Sequence, residues 1–189
     1  KHFCSAANYG DKFGQVEASC TGPCDAGYYC PEGSTTAREV MCGDATRYCP
    51  YASAHPINVP AGYYSVEGNV STRSNIVMST RGRFASNGFN YLCPAGRYGV
   101  MDGESDPMCS GACEKGFYCP AGSVSPLMRV CGADDVICPP ASASPVAVHT
   151  GFYTTFEWEE GCKPGTWRNI LLSNDPSVPG NSFLPTSKI

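Results

Sequence analysis

Thirteen cysteines in 189 residues are the side chains with the most chemistry to offer. Thiolates bind metal, attack electrophiles or oxidise to disulfides, and their neighbours discriminate among these fates. A zinc site would show tight Cys-x-x-Cys pairs with matching histidines. No such pair occurs here, and the only histidines are His2, His55 and His149. A nucleophilic cysteine needs a base, and Cys162 has no histidine near it in sequence. Asp44, Asp134 and Asp135 do not fall into a shared calcium loop, and there is no D-x-D-x-D-G run. No catalytic residue, metal or cofactor is therefore expected, and the chain reads as something other than an enzyme. Oxidation to disulfides remains, and such bonds persist outside the cytosol, so an extracellular, secreted or cell-surface location is expected.

Twelve of the cysteines form two identical sets. Cys4, Cys20, Cys24, Cys30, Cys42 and Cys49 are separated by steps of 16, 4, 6, 12 and 7, and Cys93, Cys109, Cys113, Cys119, Cys131 and Cys138 repeat those steps 89 residues later. Residues between the cysteines follow the same displacement. Gly27-Tyr28-Tyr29-Cys30-Pro31 answers Gly116-Phe117-Tyr118-Cys119-Pro120, and Gly62-Tyr63-Tyr64 answers Gly151-Phe152-Tyr153. His55 aligns with Ser144 and His149 with Pro60, so the histidines belong to no repeated site. The expected division is a first cysteine-rich module over 1–64, a polar linker over 65–92, a second module over 93–153, and a tail over 154–189 holding the start of a degenerate third module.

These modules must be held by cross-links. Domains of roughly 60 residues bury little apolar surface, and each disulfide stabilises by roughly 2–4 kcal/mol. The apolar fraction of 42% includes the cysteines and 11 Tyr, while 21 Gly and 16 Pro leave little room for long regular elements. The expected fold class is small disulfide-rich modules in tandem, irregular, with short β-hairpins and little helix. Ala61 to Val66 and Gly151 to Trp158 read as strand-bearing, and Asn75-Ile76-Val77-Met78 reads as one strand inside the linker. A net charge of −4 offers no basic surface to a nucleic acid, and no stretch approaches the length of a membrane span. The chain opens at Lys1 without a signal peptide and reads as a mature product or a segment of something longer.

Cys93-Pro94-Ala95-Gly96-Arg97-Tyr98 and Gly116-Phe117-Tyr118-Cys119-Pro120-Ala121-Gly122-Ser123 resemble the Cys-Pro-x-Gly-x-Tyr and Gly-Tyr-Tyr-Cys-Pro-x-Gly-Ser phrases of ephrin-receptor-like cysteine-rich repeats. Those repeats are related in style to tumour-necrosis-factor-receptor and EGF-like modules. The resemblance covers both modules, roughly two thirds of the chain, and departs at Cys4-Ser5-Ala6-Ala7-Asn8-Tyr9, which lacks the Pro and Gly. Six cysteines permit 15 connectivities, and spacing alone does not choose. The resemblance implies Cys4 with Cys20 and Cys93 with Cys109, and then crossed pairs, Cys24 with Cys42 and Cys30 with Cys49, and likewise in the second module.

Cys162 is left over. A partner in another subunit or in sequence beyond these 189 residues, a free thiol, and an altered pairing within the chain all remain open for it. Asn69-Val70-Ser71 fits the N-glycosylation acceptor. Tyr63, Tyr64, Phe152, Tyr153, Phe156 and Trp158 are the candidate interface aromatics. The favoured functional expectation is a structural glycoprotein subunit of an extracellular assembly, such as a surface filament, flagellar hair or wall, whose partners are other copies of itself or other extracellular proteins. The alternative is a ligand-binding or adhesive ectodomain of a cell-surface receptor.

Overall fold

The computed structural model describes residues 2–150, 152–154 and 159–161. Among them there is no helix, and every strand belongs to a two-stranded antiparallel hairpin. The chain divides into two compact units, Lys1–Leu92 with Met101–Cys109, and Cys93–Val100 with Ser110–Ile189. Within each unit the hairpins follow one another as rungs.

In the first unit Asn8–Tyr9 pairs with Gly22–Pro23, and Tyr28–Tyr29 with Val40–Met41. Arg47–Tyr48 then pairs with Ile57–Asn58, Tyr63–Val66 with Asn75–Met78, and Arg83–Ser86 with Phe89–Leu92. In the second unit the pairs are Arg97–Tyr98 with Gly111–Ala112, Phe117–Tyr118 with Arg129–Val130, Val136–Ile137 with Val146–Ala147, and Phe152–Thr154 with Glu159–Gly161. These are rungs one to five and six to nine. The stretch over 65–92, expected as a linker, completes the fourth rung and forms the fifth. Its expected strand, Asn75–Met78, is the return strand of the fourth rung.

Each rung opens with a tight turn closed by a backbone bond, as in Tyr28 N donating to Asp25 O and Arg97 N to Pro94 O. The third turn residue often has positive φ, which glycine supplies as in a type II turn. Ala7, where the first repeat lacks that glycine, still takes φ 72°, close to the 85° of Gly96, so the opening turn is preserved despite the substitution. After the outgoing strand comes a second turn of the form Cys-Pro-x-Gly/Ala-Ser. Ser34, Ser53, Ser123 and Ser142 each donate their hydroxyl to the carbonyl of the proline three residues before, at 2.6–2.7 Å. This satisfies hydroxyls that are buried.

Successive rungs are joined by one recurring backbone bond. In the first unit Gly10 N donates to Ser34 O, Cys30 N to Ser53 O, Cys49 N to Arg73 O, Ser65 N to Gly88 O and Ala85 N to Glu104 O, at 2.8–3.1 Å. In the second unit Gly99 N donates to Ser123 O and Cys119 N to Ser142 O, both at 2.9 Å. The interior behind this ladder holds sulfur and small side chains. Cys24, Cys30, Cys42, Cys49, Cys113 and Cys119 are buried together with Ala45, Ala85, Ser65 and Ser79, and among the described residues no large aliphatic side chain joins them.

The bridges are Cys4–Cys20, Cys24–Cys30, Cys42–Cys49, Cys113–Cys119 and Cys131–Cys138, and Cys93 and Cys109 are each disulfide-bonded as well. The crossed arrangement that the family resemblance implied, Cys24 with Cys42 and Cys30 with Cys49 and its counterpart in the second module, is corrected to local pairs. The reason lies in the turn between the rungs. Asp25–Gly27 reverses the chain and brings the Cα atoms of Cys24 and Cys30 to 5.9 Å, inside the span a disulfide bridges. Each such bond therefore ties a return strand to the outgoing strand of the next rung.

The fourth and fifth rungs have the same junction without sulfur. Ser79 N donates to Gly62 O as Cys42 N donates to Gly27 O, and Ala85 N and Cys49 N occupy the same place in the ladder. Ser79 and Ala85 thus stand where the earlier junction has Cys42 and Cys49.

Candidate interaction surface

Alternation along a strand decides which side chains leave the interior. Cys30, Cys49, Ser65 and Ala85 are buried. The residue before each of them, Tyr29, Tyr48, Tyr64 and Phe84, therefore projects from the opposite face. Directly opposed residues of an antiparallel pair share a face, and here the partners are Val40, Ile57, Val77 and Tyr91. Rungs two to five of the first unit each carry one outward aromatic with an apolar partner across the strand. Phe84 stacks on Tyr91 with ring centroids 5.4 Å apart, and Phe89 lies 6.5 Å from Tyr91. Ile57, Val77, Phe89, Tyr91 and Leu92 are all solvent-exposed.

In the second unit the equivalent partners are more polar or absent. Tyr98 faces Gly111 and Tyr118 faces Arg129, while Ile137 facing Val146 keeps the apolar form.

The expected interface set is divided by this geometry. Tyr64 lies on the outward face with Val77, whereas Tyr63 is opposite Met78 on the same face as buried Ser65. Phe152 is exposed, and its ring meets that of His149 edge-on at 6.5 Å. Tyr153 is placed in the strand Phe152–Thr154. Phe156, Trp158 and Cys162 lie outside the described residues. The pairs Tyr29/Val40, Tyr48/Ile57 and Phe84/Tyr91 were not singled out from the sequence. Their signal is the aromatic that precedes the cysteine, serine or alanine on each outgoing strand.

Arg38 Nε donates to Asp25 Oδ2 at 2.8 Å and its guanidinium lies 5.8 Å from the Tyr28 ring centre. The Asp25 hydrogen bond, then its charge, holds the Arg38 proton more firmly. Glu39 accepts from the backbone N–H groups of Thr35 and Thr36 and from both hydroxyls, which lowers its pKa. Asp44 is lowered by the hydroxyl and then the backbone N–H of Thr46. Asn69 is exposed, with its side-chain oxygen accepting from Ser71 N at 2.9 Å and its own N–H donating to the Thr72 hydroxyl at 3.1 Å.

His2, His55 and His149 are each exposed, and the described residues include no cluster of three His, Cys, Asp or Glu placed to hold a metal ion. No helix among them is long and apolar enough to cross a membrane. No family model and no curated protein matches the chain. The chain is a cysteine-rich repeat protein whose fold fits an oxidising, extracellular setting.

Proposed function

We propose that the chain is a non-catalytic structural subunit of an extracellular assembly, built from modules of the ephrin-receptor-like cysteine-rich type. The observation that carries this reading is the repetition of one outward apolar pair on four consecutive rungs. A ligand pocket concentrates its contacts in one concavity, whereas this chain spreads equivalent contacts along a row. Rungs tied by backbone bonds and local disulfides keep that row in a fixed register, which suits contact with another extended surface.

The partners are then further copies or other extracellular proteins, and Asn69 carries N-linked glycan in the polar Asx turn over 69–72. Negative-stain microscopy of native, unreduced protein tests the reading. Ordered fibres or sheets are the expected result, and a dispersed monomer at every concentration overturns it.

A second reading is favoured by the Phe84, Tyr91 and Phe89 cluster, the densest aromatic group on the outward face. An adhesive ectodomain would use it as an anchor for one partner. Under that reading Tyr91→Ala abolishes capture of the partner while fibres never form.

A further inference from the structure

A disulfide short-circuits the chain between its two cysteines, so the residues it encloses cannot lengthen under tension while the bond holds. Over Lys1–Leu92 the bridges Cys4–Cys20, Cys24–Cys30 and Cys42–Cys49 close loops with sequence separations of 16, 6 and 7. Three internal stretches lie outside those loops, 21–23, 31–41 and 50–92. The first two are short. The third runs for 43 residues without a cysteine and carries the return strand of the third rung and the whole of the fourth and fifth.

No bridge crosses this stretch, and its junctions are hydrogen bonds. Ser65 N donates to Gly88 O at 3.1 Å, and the Ser65 hydroxyl donates to Ala45 O at 2.7 Å, which seats the fourth rung on the fifth and on the turn that opens the third. A loop of the same unit then latches the junction of the fourth and fifth rungs. Gly103 N donates to Ser79 O at 2.8 Å, Ala85 N to Glu104 O at 2.8 Å, the Ser79 hydroxyl to Glu104 O at 3.0 Å, and Arg81 N to the Asp102 carboxylate at 2.9 Å. These bonds act where the junction of the second and third rungs has the covalent link Cys42–Cys49.

The interior of the stretch also favours opening and closing again. Its fully buried side chains are Ser53, Ser65, Ser79 and Ala85. Opening therefore wets three hydroxyls and one methyl group, and water replaces the hydrogen bonds that the hydroxyls give up. The pairs Tyr64/Val77 and Phe84/Tyr91 lie on the outward face before any opening, so little new apolar surface arises to trap the opened chain. The bridge Cys42–Cys49 keeps the start of the stretch in register, which makes closing a local search.

We propose that residues 50–92 are an extensible element, which lengthens reversibly under tension while the bridged rungs before it keep their length. Drawn out fully, the stretch spans up to roughly 150 Å, against roughly 40 Å for 31–41. The proposal concerns a single chain and is independent of the assembly reading. It gives any structure containing the chain a place to yield before a covalent bond breaks.

Single-molecule pulling on the oxidised 189-residue chain, held by its two ends, tests this. The expected result is a lengthening step of no more than about 150 Å that reappears after every relaxation. An insertion of about ten Gly and Ser residues after Val70, an exposed position, should lengthen that step by roughly 35 Å. Ser79→Cys with Ala85→Cys, once bridged, should shorten it by roughly 15 Å. Ser79→Ala removes one bond of the latch and should lower the force of the step without changing its length. Intact mass in the oxidised state and circular dichroism establish that the variants fold, and the insertion decides the matter where the added bridge does not form. If no step responds to the insertion, or the step fails to return on relaxation, the proposal is overturned, whatever microscopy shows of fibres.

Discussion

The Cys-Pro-x-Gly/Ala-Ser turn places a residue at positive φ, and its four copies fill that position with glycine twice and alanine twice. Gly33 and Gly122 sit at φ 81° and 80°, Ala52 and Ala141 at 62° and 65°. An L side chain there costs about 1 kcal/mol, partly offset by the greater unfolded-state freedom of glycine. Ala52→Gly and Ala141→Gly are each expected to raise stability by about 0.5 kcal/mol, seen as a higher Tm in thermal unfolding of the oxidised protein. Gly88→Ala is the opposite case. A Cβ at Gly88 would run into the Ala45 backbone carbonyl, and φ is 78°, so a loss of about 3 kcal/mol is expected in the same measurement. The two lowered carboxylates give a pH dependence of known sign. Glu39 and Asp44 have folded pKa values below their unfolded ones, so their contribution is present above the unfolded pKa and is lost as pH falls through the folded value. A Tm series from neutral pH down through the carboxylate range, about pH 4 and below, should decline less steeply in Glu39→Gln with Asp44→Asn than in the parent. At Asn69, expression in a glycosylating secretory host should add mass that glycosidase removes, and Ser71→Ala should abolish it.

At the scale of the rung, the junction between the fourth and fifth hairpins tests whether sulfur and small side chains are alternatives at one position. Ser79 and Ala85 hold the places of Cys42 and Cys49 in the hydrogen-bond ladder. Ser79→Cys with Ala85→Cys should therefore form an additional bridge, worth about 2 kcal/mol for so short a loop. A free-thiol count unchanged from the parent after oxidation, with a higher Tm, is the expected outcome. Two new titratable thiols would show that the junctions differ. The same junctions explain what was and was not legible in the sequence. The 89-residue repeat stood out because cysteine steps are rigid markers. The shorter recurrence of Tyr-Cys-Pro-x-Gly/Ala-Ser, at Tyr29–Ser34, Tyr48–Ser53 and Tyr118–Ser123 with Ile137–Ser142 as a variant, marks the individual rung and is the fainter signal. Two physical reasons account for it. Most strands are two residues long, too short for alternation to register, and where sulfur is dispensable Ser65 and Ala85 interrupt the cysteine pattern. The local pairing was hidden for a related reason. Spacing reports distance along the chain, whereas Gly27, which turns Cys24 back on Cys30, determines distance in space.

At the scale of the whole fold, the absence of a large aliphatic residue from the buried set among the described residues means that their stability rests on oxidation. Reduction with excess thiol should unfold the described modules outright, with loss of amide-exchange protection throughout and no residual folded core. A chain held by conventional packing would keep protected amides under the same treatment. The mapped bridges also share an order, for each links a cysteine to the next one along: Cys4 to Cys20, Cys24 to Cys30, Cys42 to Cys49, Cys113 to Cys119 and Cys131 to Cys138. A chain delivered amino terminus first into an oxidising lumen meets its correct partners by order of arrival. Cys20 emerges with Cys4 as the cysteine just before it, and Cys30 with Cys24. Oxidation that keeps pace with synthesis thus yields the native set without reshuffling, whereas refolding the complete reduced chain exposes every thiol to every other and should depend on an isomerase.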